Sequence, residues 1–127
     1  MENRILIVED DNNLGDTLLE YLEAQGKSVT LAKSVKQAKE CFSNFKPNII
    51  LMDIGLPDGN GIELAKLFRE LRKDFSLLFL SALNDPETKV TSFEIGAEDY
   101  ITKPFALKEL TIRLDRILKF SVDIGRK

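Results

Sequence analysis

The sequence predicts an α/β domain: a doubly wound sheet of five parallel strands with five helices covering its two faces. Three observations carry that expectation. Short apolar runs of strand length alternate with segments of helical period along the chain. The runs end on acids, a hydroxyl residue or a lysine, with turns after them. The length, 127 residues with 43% apolar and 31% charged side chains, suits one core rather than two. Right-handed crossovers between parallel strands then place helices on both faces of the sheet.

Arg4–Val8 (RILIV) is short and β-branched, and Glu9-Asp10-Asp11 closes it. Leu14, Leu18, Tyr21 and Leu22 repeat at helical spacing, with Gly26 as the stop. Ser28–Ala32 reads as a second, less buried strand. Ser34-Val35-Lys36-Gln37 matches a capping box in which Gln37 reaches back to the cap amide. The helix it opens carries Val35, Ala38 and Phe42 on one face and ends before Pro47. Asn48–Met52 is the most hydrophobic run and leads into Asp53. A Gly- and Pro-rich turn at 55–61 precedes a helix with Leu64, Phe68 and Leu71 inward. Ser76–Leu80 ends on Ser81, and Pro86 suits the first turn of a helix carrying Val90 and Phe93 that closes at Gly96. Glu98–Thr102 is the last strand, Lys103-Pro104 a break, and Leu107–Lys119 a final amphipathic helix. The pattern is lost from Phe120, so the domain is taken as 1–120 and residues 121–127 as a C-terminal tail or the start of a linker.

Composition narrows the chemistry. There is no His and one Cys, which excludes Ser-His-Asp and Cys-His nucleophiles, His-containing zinc sites and an internal disulfide. Cys41 reads as a small packing residue. Net charge is −3, which argues against direct nucleic-acid binding by this domain. No run approaches the roughly 18 apolar residues of a membrane span, and acids follow the first apolar run too soon for a signal peptide. A cytoplasmic protein without membrane contact is expected.

In an open α/β sheet, ligands bind beyond the carboxyl ends of the strands. The residues at those ends are Glu9, Asp10, Asp53, Ser81 and Lys103. Each alone reads as a cap or turn residue. Their joint placement at four strand ends does not. Two carboxylates about 4–5 Å apart repel by roughly 3–4 kcal/mol at an effective dielectric near 20, which a hard divalent cation relieves. Oxygen-only ligation points to Mg²⁺. An aspartate, a Mg²⁺ site, a lysine and a serine form a phosphoryl-accepting constellation.

The segments ILIVEDD at 5–11, ILMDIGLPDGNG at 50–61, LSA at 80–82 and GAEDYITKPF at 96–105 resemble the receiver domains of two-component response regulators. The resemblance covers roughly residues 3–120 and implies a flavodoxin-like sheet of order 2-1-3-4-5. It implies that Asp53 is the phosphoacceptor and that Glu9 and Asp10 organise Mg²⁺. Asp10 would ligate directly, Glu9 through water, and Gly55 by its backbone carbonyl. Ser81 and Lys103 stand at the family's hydroxyl and lysine positions, and Tyr100 at its aromatic switch position. A peptide bond such as Lys103-Pro104 is usually cis there, aiming the lysine into the site. The implied switch draws Ser81 toward the phosphoryl group and turns Tyr100 inward, altering the surface of the fourth helix, fifth strand and fifth helix.

The implied donor is a sensor histidine kinase, a phosphotransfer protein or a small phosphodonor, and the domain catalyses only its own phosphorylation and dephosphorylation. The expected output is transcription through a DNA-binding domain that follows. Lys89 with Glu109, and Asp99 with Arg113, resemble the cross-dimer ion pairs of receivers fused to winged-helix domains, which points to a phosphorylation-dependent homodimer. Position 120, often basic in that subfamily, is Phe120 here. Gly55 and Leu83 occupy positions that tune the lifetime of the phosphoryl group. A haloacid-dehalogenase-type phosphohydrolase would need an acid two residues after its nucleophile, where Gly55 stands. A flavin or nucleotide binder of the same topology lacks its glycine-rich phosphate motifs here.

Overall fold

Alternation along the central strands divides the core in two. Leu6, Val8, Ile50, Met52, Leu77 and Phe79 face one layer of helices, and Ile5, Ile7, Ile49, Leu51, Leu78 and Leu80 face the other. All are buried, because a parallel sheet sandwiched between helices leaves its central strands no polar face. The computed structural model describes the backbone of residues 3–125 and the side chains of residues 3–118.

The elements are β1 (Arg4–Val8), α1 (Asn12–Ala24), β2 (Ser28–Ala32), α2 (Val35–Phe45), β3 (Ile49–Asp53), α3 (Gly61–Leu71), β4 (Ser76–Ser81), α4 (Pro86–Glu94), β5 (Asp99–Thr102) and α5 (Leu107–Gly125). The five strands form one parallel sheet in the order β2-β1-β3-β4-β5, as expected. Leu18 and Leu22 of α1 pack with Leu110, Leu114 and Ile117 of α5 on one face. On the other, Phe42 of α2 stacks on Phe68 of α3 with ring centroids 4.0 Å apart, and Phe75 meets Phe42 edge-on.

Local chemistry explains where most elements end. Gly26 takes φ +82°, and the amides of Gly26 and Lys27 return to the Glu23 and Leu22 carbonyls in a glycine-terminated helix end. Ser34 caps α2 through the Gln37 amide at 3.1 Å. The Gln37 side chain accepts instead from the Lys33 amide at 2.8 Å, one residue before the cap amide expected for it. Asp85 caps α4, with Pro86 in its first turn as expected.

Two expectations need correction, for Leu71 and for the end of α5. Leu71 is 64% exposed although its spacing from Leu64 and Phe68 is helical. Phe75, the apolar ring at that end of α3, is covered instead by the guanidinium groups of Arg69 and Arg72, 4.2 and 5.8 Å from its centroid. Val90 and Phe93 are about half exposed too, at 57% and 49%, and Ser92 is the buried residue of α4. Asp85 closes the N-terminus of that helix on its own Thr88 amide, and Arg69 ties its C-terminal end to α3, its guanidinium donating to the Ile95 and Gly96 carbonyls. Finally, α5 continues through Gly125, past the boundary placed at Lys119. A lost apolar period removes the packing signal but not the intrahelical hydrogen bonds. Of the tail expected at 121–127, residues 121–125 are therefore helical, and 126–127 lie outside the described residues.

Phe68→Ala should cost about 3–5 kcal/mol, since it removes a ring that is 1% exposed and stacked on Phe42. Urea unfolding of the two proteins measures the difference.

Candidate functional site

Four strand ends meet at one edge of the sheet. Asp53 is the last residue of β3 and pairs with Leu80 of β4. Glu9 and Lys103 each stand one residue beyond their strand, yet the ladder still holds them. The Glu9 amide donates to the Ala32 carbonyl at 2.9 Å, and the Lys103 amide to the Ser81 carbonyl at 2.8 Å. Lys103-Pro104 is a cis peptide, as expected. The Lys103 ammonium lies 2.6 Å from Glu9 Oε1 and 3.1 Å from Asp53 Oδ2, bridging two acids from different strands.

The electrostatics follow from that burial. Glu9 is fully buried and Asp53 nearly so, whereas Asp10 is exposed. Burial pushes the Glu9 carboxyl up to about 7; hydrogen bonds from Lys103 and the Asp11 amide oppose the rise, and the Asp53 charge adds to it. Burial disfavours the Lys103 ammonium, but its bonds to Glu9 and Asp53 outweigh that and raise its pKa above the ordinary lysine value. Three carboxylates face one ammonium, so the site keeps an excess of negative charge.

Glu9, Asp10 and Asp53 can each offer an oxygen within 4.8 Å of the others. The donors are all hard oxygens, and Asp10 leaves one side open to water. That set fits a metal ion such as Mg²⁺, which retains several waters and ligates few carboxylates. The cluster could therefore hold a metal.

Ser81 is buried, and its Oγ accepts from the Leu83 amide at 3.1 Å, which leaves its own proton free to donate. Tyr100 was expected to turn inward as part of a switch. Here it is already inward, 7% exposed, with its hydroxyl donating to the Leu83 carbonyl at 2.5 Å. Burial raises its phenol above the ordinary 10.0. Leu83 itself is 48% exposed and ties both residues to the loop before α4. The four charged residues expected on the α4-β5-α5 face lie on that face. Arg113 is engaged within its own chain, 2.7 Å from Asp99 and 3.2 Å from Glu109. Lys89 lies 5.8 Å from the centre of the Tyr100 ring.

The turn after Asp53 is more ordered than a Gly- and Pro-rich composition suggests. Gly55–Leu56 pairs antiparallel with Gly59–Asn60 in a small hairpin. Asn60 caps α3 by accepting from the Ile62 and Glu63 amides at 2.7 and 3.3 Å. Gly55 is exposed, with nothing within 4 Å of where a Cβ would stand. Gly61 is the residue that sequence reasoning missed. A Cβ there would lie 2.0 Å from the Asp53 carbonyl oxygen, and the Gly61 amide donates to the Ile54 carbonyl at 2.7 Å. Its signal was a glycine opening a helix, where propensity favours almost any other residue.

Comparison with known proteins agrees with this architecture. A family model described as the response regulator receiver domain matches residues 5–115. The transcriptional regulatory protein RprY of Bacteroides fragilis is 40% identical over 116 residues, 91% of this chain and 49% of that protein. The aerobic respiration control protein ArcA of Escherichia coli K12 is 40% identical over 121 residues, 95% of this chain and 50% of that protein. The chain thus spans about half the length of these relatives. Among solved structures, the non-phosphorylated HemR receiver domain of Leptospira biflexa superposes with a TM-score of 0.87 at 41% identity, covering 91% of this chain and 94% of that one. A CheY-like receiver domain protein of Methanospirillum hungatei gives 0.93 at 30% identity, covering 98% of this chain and 100% of that one. The chain belongs to the response regulator receiver domain family, a class of two-component signalling domains. Among the described residues, no helix is long and apolar enough to cross a membrane.

Gly61→Ala should destabilise the protein by about 1–3 kcal/mol through overpacking, because its contact is rigid backbone rather than a flexible side chain. Thermal unfolding checks the loss, and amide spectra should place the largest shifts around Asp53.

Proposed function

We propose that Asp53 is the phosphoacceptor of a two-component response regulator, with Glu9 and Asp10 as its metal acids and Lys103 and Ser81 as its phosphoryl-binding groups. The observation that carries this reading is the Lys103 ammonium bridging Glu9 and Asp53 beside Asp10 at the carboxyl edge of the sheet. Mg²⁺ held by Glu9, Asp10, Asp53 and the Gly55 carbonyl would neutralise negative charge among the acids and on the incoming phosphoryl group. An Asp53 carboxylate oxygen attacks phosphorus in line with the leaving group. The new O–P bond forms as the P–N bond of a phosphohistidine, or the P–O bond of a small acyl phosphate, breaks with its electron pair. Lys103 already lies on Asp53 and meets the growing charge on the equatorial oxygens. Ser81 keeps its Leu83 bond as acceptor while donating its free proton to the same oxygens. With no His in the chain, a phosphohistidine must come from a partner, a sensor histidine kinase or phosphotransfer protein.

The output side rests on the same edge. Ser81 and Tyr100 both bond to Leu83, so movement of Ser81 toward a phosphoryl group is transmitted to the loop before α4 and to the Tyr100 ring. The surface that changes is α4-β5-α5. Val90, Phe93 and Ile112 expose apolar area there beside Lys89, Asp99, Glu109 and Arg113, which suits a phosphorylation-dependent homodimer. RprY is named a transcriptional regulatory protein, and both relatives are about twice this length, which supports a DNA-binding output domain controlling transcription in the cytoplasm.

Acetyl phosphate with Mg²⁺ should label the wild type and not Asp53→Asn, and chelation with EDTA should abolish labelling of the wild type. Intact mass spectrometry reads both; label surviving on Asp53→Asn would overturn the assignment of the nucleophile. Beryllofluoride with Mg²⁺ should double the mass measured by light scattering, and an unchanged monomer would count against the homodimer.

A further inference from the structure

Asp58 stands at the tip of the Gly55–Gly61 hairpin and has no part in the ion pairs of the site. Its carboxylate reaches across to α2 instead. Oδ1 accepts from the Val35 amide at 2.7 Å and Oδ2 from the Lys36 amide at 3.2 Å. Those are the first two amides of the helix, which intrahelical bonding leaves without partners, while Ser34 serves the third. The Val35 amide bond holds the Asp58 carboxyl below the usual aspartate range. Next to it, a Cβ on Gly59 would lie 2.9 Å from Val35 Cγ2, so the hairpin rests directly on the start of α2.

The base of the hairpin is fixed by other means. Gly61 is tied to Ile54, Asn60 caps α3, and Gly55 pairs with Asn60. The tip has Asp58 as its bond to another element. Freed from α2, the paired hairpin would keep its internal pairing but could tilt as a unit about the Ile54–Gly61 bond at its base, carrying the Gly55 carbonyl with it.

We propose that Asp58 is a positioning residue for the metal: by fastening the hairpin tip to the first two amides of α2, it aims the Gly55 carbonyl at the ion held by Glu9, Asp10 and Asp53. This rests on the proposed Mg²⁺ reading of the site. The ion meets a carbonyl already in place, and the ordering entropy of the turn is met in folding rather than in binding.

Mg²⁺ alone is titrated into the full chain and into its Asp58→Ala and Asp58→Asn variants, with backbone amide NMR as the readout. Thermal unfolding in EDTA is measured in parallel. Asp58→Ala should weaken Mg²⁺ binding about tenfold, at the lower end of what loss of an outer support costs a metal site. Asp58→Asn keeps an acceptor for Val35 and should fall between the two. The Mg²⁺ concentration for half-maximal labelling by acetyl phosphate should rise by the same factor, with the rate at saturating Mg²⁺ unchanged. An Asp58→Ala variant that loses thermal stability but binds Mg²⁺ like the wild type would show a plain helix cap and overturn the proposal. A wild type without saturable Mg²⁺ binding would instead overturn the metal reading of the site, and this inference with it.

Discussion

Two buried acids can stand side by side at the end of a sheet only if a cation stands between them. Lys103 fills that place, within ion-pair distance of both Glu9 and Asp53. The requirement propagates outward. Lys103 must leave β5 at a fixed point, so its amide stays in the ladder with Ser81. Glu9 must leave β1 at a fixed point, so its amide stays in the ladder with Ala32. The sheet can hold both because its central strands are apolar on both faces and slip by one residue would exchange the two cores. Site geometry and core packing are thus one constraint seen at two depths.

That coupling explains how much could be read in advance. The strands were legible because burial on both faces leaves a continuous apolar run, and strand ends mark where polar residues become tolerable. The acids, Ser81 and Lys103 were legible because they fall at those ends. Gly61 was not, because its role is a close approach between two backbone segments, and spacing along a chain carries no record of distance in space. Leu71 misled for a related reason. Its period is helical, but what covers the neighbouring ring is the guanidinium of an arginine, a polar residue by composition. The Asp58 contact with α2 was equally hidden, since its partners lie more than twenty positions earlier.

Stiffness is unevenly distributed. The hairpin after Asp53 is bound on several sides, and three aromatic rings pack beneath α2 and α3. By contrast, α4 buries only Ser92 and is tied to α3 by Arg69 at its C-terminal end. This distribution suits the proposed switch: a rigid site would keep its geometry through phosphoryl transfer, and a lightly held helix would change place at little cost.

The sheet also separates the chain's optical reporters. There is no Trp, and there are only two Tyr. Tyr21 belongs to the α1 and α5 layer, with its hydroxyl bonded to Thr111, while Tyr100 belongs to the opposite core. Tyrosine fluorescence therefore arises from two phenols on opposite sides of the sheet. Exchanging Tyr21 for Phe would leave a single tyrosine emitter, Tyr100, lodged beside the candidate site, with no dye attached to the protein.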